Sequence, residues 1–394
     1  MNYFIKSAVL LACFLNYAHA IEAASINLDN GISIKPLLNI TSKYDDNIYH
    51  QPSNLEGDSV LVVSPSVDLL FNDDLNQFKL DMGFVSGTYL KNSDDNYLDH
   101  SLNFLAHFSP SSWHRFDILA SANNLTEPRG TGVTEGISRI FSELLVYKNN
   151  VIGGIYEFGA LSSKSRIAFE IEATTKKYDN FKDVTKFKNN RSAKLGTSLF
   201  YKMDSSTDLF VVVSRDDIKY DHIEENSSSR DSTDDKALLG VQWEMTSMTT
   251  GVIKIGYQNK VFGDFVRQSF SGKSWEAKVQ WQPLTYTNIL FETSRSAKDP
   301  NSQGDYVNKS VYGLTWNHSW NEKLRSNLGA SFSKGVYKGV YREDGIIMGS
   351  VSFSYLIQRW LEAEIFIEIK NNDSTTEEMS FDKNLIGINF NISI

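Results

Sequence analysis

The sequence predicts an all-β fold: a transmembrane, antiparallel, up-and-down β-barrel of about 18 strands, within a range of about 16–18. Three observations predict it. Stretches of about ten residues or more alternate apolar and polar with a period of two, suiting a tilted bilayer crossing better than the five or six residues of a typical soluble strand. In the second half of the chain, short and long connections alternate strictly. Aromatic residues stand just before the short connections, at Tyr201, Trp243, Trp281, Trp316 and Tyr355, in steps of 42, 38, 35 and 39 residues.

The chain opens on a leader rather than on a strand. "MNYFIKS" carries one Lys, "AVLLACFL" is apolar, and Ala18-His19-Ala20 offers the small-x-small pattern of signal cleavage. Cleavage is expected after Ala20. "LLAC", ending at Cys13, reads as a lipoprotein box, but the apolar run before it is short and continues past it, so the cleaved leader is preferred. Cys13 is the only cysteine. A mature chain without it has neither a disulfide nor a thiol nucleophile. This divides the chain into a signal peptide over 1–20, a short segment over 21–30 and a barrel over 31–394.

The first five strands are expected near 32–42, 59–71, 77–91, 97–108 and 113–124. In "QFKLDMGFVSGTYLK" the apolar face is Phe78, Leu80, Met82 and Phe84. The segment 138–148 is apolar enough for a strand, yet counting it would put the two termini on opposite sides of the membrane. It is therefore assigned to a long loop. The following strands are expected at 151–161, 166–178, 192–203, 206–220, 235–246, 249–261, 273–283, 287–298, 308–319, 323–335, 346–357, 360–371 and 384–394.

The short connections of this half are Met203–Ser206, Thr246–Thr249, Pro283–Tyr286, Ser319–Glu322 and Leu356–Arg359. The long ones are polar: "DHIEENSSSRDSTDDK", "FGDFVRQSFSGK", "AKDPNSQGDYVNKS", "KGVYREDG" and "NNDSTTEEMSFDK". In "LEAEIFIEIK", Leu361, Ala363, Ile365, Ile367 and Ile369 oppose Glu362, Glu364, Glu368 and Lys370. In "IGINFNISI", Ile386, Ile388, Phe390, Ile392 and Ile394 share one face. Such a terminal strand resembles the signal read by the barrel assembly machinery, except that the last residue is Ile394 and the nearest aromatic is Phe390.

A soluble sandwich also alternates, but neither its strand length nor its loops would show this rhythm. A propeller of similar period needs four short strands per repeat, where each repeat here holds two long ones. The aromatics read as one interfacial girdle, because Trp and Tyr bury an apolar ring while an N–H or O–H still reaches water. Composition agrees: aromatics make up 12% of the chain, with 24 Phe and 18 Tyr against 7 Pro, which favours strands. A formal net charge of −9 argues against a nucleic-acid partner. No run of 18 apolar residues follows the leader, which excludes a membrane helix.

Several stretches carry a family likeness: "SKYDDNIYH" around Tyr44–Ile48, "VVSPSVDLLF" with Pro65, "EPRGTG" with Arg129 and Gly130, "YEFGA" at Tyr156–Ala160, and the G-x-x-W-x-x-T-x-x-T-x-G pattern. On these, the chain from about residue 30 to 394 resembles the outer-membrane β-barrel porins of the β-barrel porin 2 type, found with exopolysaccharide and capsule gene clusters. The resemblance implies a porin-like barrel in the outer membrane that assists polysaccharide production or export. It brings no catalytic residue with it.

The search for chemistry returns little. Neither G-x-S-x-G nor H-E-x-x-H occurs. Glu362 and Glu364 share a strand face, which reads as lumen charge in water before it reads as a catalytic pair. "DDLNQFKLD" and "SDDNYLD" have acidic spacing but lack the glycine and terminal glutamate of a calcium loop. "RGTG" at 129–132 precedes no helix that would bind phosphate. The triplet Asn226–Ser228 carries no glycosylation meaning in a bacterial outer membrane. No enzyme activity, cofactor or metal is expected.

The lumen remains. With the apolar face toward lipid, the inward set includes Lys254, Gln258, Glu276, Lys278, Gln280, Arg325, Asn327, Glu362, Glu364 and Glu368, with Phe366 among them. A wall mixing carboxylates, amides and cations suits polar solutes whose hydroxyls use either partner type. The same groups can equally pair with one another and stiffen the barrel. Three readings stay open: a passage or accessory barrel for an exported polysaccharide, a structural or adhesive barrel with a plugged lumen, and an uptake porin for small polar solutes. The partners expected are outer-membrane lipid, the barrel assembly machinery, and polysaccharide with its export machinery.

Overall fold

The computed structural model describes residues 25–28, 31–73, 75–225, 227–246 and 248–393. The leader with Cys13, Asn226 and the terminal Ile394 lie outside these residues. The strands are β1 (Ile26–Asn27), β2 (Ile32–Asp45), β3 (Asp58–Asn72), β4 (Asn76–Tyr89), β5 (Tyr97–Ser111), β6 (His114–Glu127), β7 (Leu145–Phe158), β8 (Ser165–Tyr178) and β9 (Asn190–Lys202). They continue as β10 (Thr207–Tyr220), β11 (Ser232–Thr246), β12 (Thr249–Phe262), β13 (Phe270–Leu284), β14 (Thr287–Lys298), β15 (Tyr306–Ser319), β16 (Leu324–Lys338), β17 (Glu343–Gln358), β18 (Leu361–Ser374) and β19 (Phe381–Ser393). A four-residue helix, α1 (Lys182–Thr185), sits in the loop after β8.

Each of β2 to β19 pairs antiparallel with its sequence neighbours, and β19 closes on β2 through pairs such as Ile388↔Ser42 and Leu385↔Asp45. The result is a closed barrel of 18 strands with no free edge among the described residues, which is how strands satisfy their backbone groups inside lipid. The short β1 pairs with the start of β2, Ile26 opposite Ile34. All the expected strands are present, and the two barrel-closing ends, Ile32 and Ser393, lie at the short-turn rim.

Several boundaries differ from expectation, the strands generally running further into the long loops. β7 begins at Leu145, so residues 145–148 are strand and only the rest of 138–148 is loop. Its early residues face Leu125, Thr126 and Glu127 of β6, and that pairing, invisible in local periodicity, extends the strand. The loop expected over "KGVYREDG" shrinks to 339–342, because Val336↔Glu343 pairing continues β16 and β17 into it.

Alternation sets the barrel's two faces. On β18 the outward residues run from Leu361 to Ile369, and the side chains of Ile365, Ile367 and Ile369 are exposed. Eight residue steps cover about 27 Å of strand, or about 20 Å of bilayer normal at a tilt of about 40°. Tyr201, Trp281 and Tyr355 are exposed at the short-turn end of this band. Trp243 and Trp316 are half-buried there. Trp243 lies over Gly251, its cross-strand partner, so any larger residue at 251 would collide with the indole. Trp113, Tyr286, Trp320 and Trp360 are exposed in or beside the short turns and belong to the same rim. The sequence reading drew the girdle only from residues just before the short connections and so did not count them in it. His318 joins Trp316, Trp320 and Tyr286 in one ring cluster, with centroids 4.4–5.4 Å from it.

Candidate functional site

The barrel encloses a cavity of about 1170 Å³. Its lining runs from Leu161, Ser205 and Ser206 in the short turns to Pro128, Thr131 and Leu144 in the long loop after β6. The wall between is built by the inward positions of each strand, which the register fixes as every second residue.

Seven of the ten lumen residues expected from sequence fall into cross-strand partnerships. Lys254 on β12 meets Glu276 on β13 at 2.7 Å, and Lys278 meets Glu292 on β14 at 2.9 Å. Arg325 and Glu362 form an ion pair, and Glu362 also accepts from Asn391. Asn327 donates to Asn317 at 2.5 Å, and Ser354 donates to Glu364 at 3.2 Å. Glu276, Lys278, Gln280 and Glu368 line the cavity.

Gln258 is buried in the wall instead. Its amide accepts from the Ala297 N–H at 2.8 Å and donates to the Ala297 carbonyl at 2.9 Å. The β13–β14 ladder stops at Trp275↔Arg295, so the side chain stands in for a missing strand partner.

Near the short-turn rim lies a charge network that the sequence reading missed. Arg115 donates to Glu157 at 2.5 Å, Arg166 donates to Glu157 at 2.6 Å and to Asp208 at 2.8 Å, and Gln242 donates to Asp208 at 3.1 Å. It runs from β6 across β7, β8 and β10 to β11. Parity counting along β6 and β8 could have placed Arg115 and Arg166 inward, but nothing local shows that they share Glu157.

The far end is roofed. Residues 128–144, between β6 and β7, cross the mouth to loops six to eight strands away around the barrel. There Glu135 accepts from Arg342 at 3.1 Å, from Asn301 at 3.1 Å and from Ser302 at 3.3 Å, and Gly136 sits against Met379. Arg342 is held in turn by a bidentate pair with Asp344, which keeps the guanidinium above its ordinary pKa.

At its root the segment is organised by Arg129, which is buried. Its guanidinium donates to Asp95 at 2.6 Å and to the carbonyls of Ser138 and Phe141. Val133, Phe141, Leu145 and Tyr178 pack beneath it. Gly130 has φ of 70°, and a Cβ there would strike the Tyr49 carbonyl, so the "RGTG" stretch serves as the bend that starts the crossing.

Two further groups tie the roof. His50 donates from Nδ1 to the Arg129 carbonyl at 2.8 Å. Burial, with Lys383 nearby, lowers its pKa to about 3, so it is neutral at ordinary pH. Lys188, in the loop after β8, donates to the Ser302 carbonyl at 2.8 Å, and burial with Arg230 nearby lowers its pKa to about 8.

Comparison with known proteins follows this geometry. The family model described as "Putative beta-barrel porin 2" matches residues 32–393, which spans the whole barrel. No curated protein matches the chain in sequence. Among solved structures, the FrpB iron transporter from Neisseria meningitidis, in its apoprotein form, is similar with a TM-score of 0.50 and 11% identity. That likeness covers 88% of this chain and 62% of the transporter, so the chain spans less than two thirds of its length. OpdK of Pseudomonas aeruginosa, solved with vanillate, gives a TM-score of 0.49 and 10% identity over 91% of this chain and 98% of that one.

Proposed function

The chain belongs to the beta-barrel porin 2 family and resides in the outer membrane, and we propose that it is a non-enzymatic passage for exopolysaccharide or capsular polysaccharide on its way out of the cell. The observation that carries this reading is the cavity of about 1170 Å³ reaching from the periplasmic turns to the underside of the roof. Its wall of hydroxyls, amides and paired charges offers both donors and acceptors to sugar hydroxyls, and a closed ring of strands keeps that wall rigid. The sequence likeness to porins found with capsule clusters supports the polysaccharide assignment.

The roof supports a second reading. A segment latched across the outer mouth narrows the path to small solutes, as suits an uptake porin, and fully seated it plugs the lumen of a structural barrel.

The two are separated by reconstituting the barrel in a planar bilayer and by deleting its gene. Conductance together with loss of extracellular polysaccharide on deletion is the expected result. A conducting barrel whose deletion leaves polysaccharide unchanged leaves uptake. A silent barrel leaves the plugged structural role.

A further inference from the structure

Most inward lysines of this barrel have a carboxylate partner. Lys79, Lys194, Lys254, Lys260 and Lys278 each lie 2.6–2.9 Å from one. A group under the roof departs from this rule. Lys370 on β18 is the direct register partner of Lys383 on β19, which sets two cations opposite each other on one face. Lys43 on β2 and Lys309 on β15 are close enough for Lys383 to repel the first and for Lys309 to repel Lys370.

Of the four, only Lys383 has a carboxylate in contact, Asp45 at 2.6 Å. Among the described residues, Lys43, Lys309 and Lys370 have none. Asp45 also attracts Lys43, Glu368 and Glu135 act from a distance, Glu135 is already tied to Arg342, and Lys370 lies over the Phe381 ring at 5.2 Å. Like charges set opposite each other in a sheet destabilise it, so four lysines sharing one contacting carboxylate beside the cavity are accounted for by an anion that visits them.

The surface beside the cluster narrows the choice of anion. Lys43, Lys370 and Lys383 line the cavity together with Tyr89 on β4 and Tyr97 on β5, which also face inward. Tyr89 lies within the electrostatic reach of Tyr97 and of Asp45, the partner of Lys383. Cations next to a pair of tyrosine rings suit a ligand that is acidic at one edge and presents an apolar C–H face. A sugar ring carrying a carboxylate has both features.

We propose that the upper lumen binds a uronic-acid-containing saccharide, its carboxylate held by Lys43, Lys370 and Lys383, with Lys309 adding attraction, and its ring faced by Tyr89 and Tyr97. This rests on the passage reading for its biological setting, but the site itself is tested by binding alone.

The experiment titrates the full barrel in detergent micelles with trigalacturonate and with maltotriose at low salt, in the wild type and in the double variant Lys43→Gln/Lys370→Gln. Neither lysine has an ion-pair partner to orphan, so the double variant keeps its fold, which heat-modifiable gel mobility verifies. Trigalacturonate is expected to bind about tenfold more tightly than maltotriose, as two partly exposed ion pairs imply. The double variant brings that ratio close to one, and Tyr89→Leu weakens both sugars. Equal affinity for the two sugars in the wild type, or an unchanged ratio in the double variant, overturns the proposal. Conductance of the same preparation keeps the two readings apart. A silent barrel that retains the preference removes only the passage, and a conducting barrel without it removes only the acidic-sugar site.

Discussion

Replacing Glu135 by alanine tests whether the roof is a latch. The carboxylate accepts from Arg342 at 3.1 Å, with side-chain exposures of 18% and 6%, and from Asn301 and Ser302. A hydrogen bond to a charged group contributes about 1.5–3 kcal/mol, and neutral donors contribute about 0.5–1.5 kcal/mol before screening at the exposed Asn301. Arg342 keeps its bidentate partner Asp344 after the substitution, so no buried cation is orphaned. The net loss is then about 2 kcal/mol, which shifts the equilibrium between seated and lifted roof by about 30-fold. Single-barrel recording in a planar bilayer reads this as a rise in open occupancy, and hydrogen exchange over residues 131–137 reads it as lost protection. If Glu135→Ala leaves both the open occupancy and the exchange rates at wild-type values, the latch is not what holds the segment across the mouth.

Four other outcomes follow from the same geometry. His50 has a pKa of about 3 in the folded chain against 6.5 for the free side chain, so between those values the unfolded roof takes up a proton that the folded one does not. Stability therefore falls as pH drops below about 6.5, by about 2 kcal/mol at pH 5, and conductance should rise on acidification in the wild type but not in His50→Gln. Glu157→Leu strips the shared carboxylate from Arg115 and Arg166, which are 9% and 5% exposed, and should cost about 3 kcal/mol in urea unfolding from micelles. Gln258→Leu should raise exchange at the Ala297 amide, which its side chain satisfies, while leaving the β14–β15 ladder protected. Trp281→Ala removes a half-exposed indole from the interfacial rim and should weaken folding into liposomes by about 1–2 kcal/mol, with no change in pore selectivity.

How far the molecule could be read in advance is visible in individual residues. Trp243, Trp281 and Trp316 announced the periplasmic rim because a girdle leaves its mark at every hairpin. Glu276, Lys278 and Gln280 were placed on the inward face from parity alone, and they line the cavity. Gln258 shared their parity yet turned into the wall, because a break in the β13–β14 ladder offered it the Ala297 backbone. Lys370 was visible as an inward cation, but its opposition to Lys383 depends on the register between β18 and β19.

By itself the sequence determined what a period of two can encode: strand number, the lipid and water faces, and the rim where turns are short. These are local, because a side chain's face depends only on its place in the alternation, and lipid enforces that alternation on every strand. Only the tertiary structure decided which residues meet across the barrel. Glu135 and Arg342 are separated by 207 positions and by half the circumference, and they meet because the ring closes and one segment crosses it. No pattern in the chain encodes that distance, since it arises from the sum of all the pairings between them.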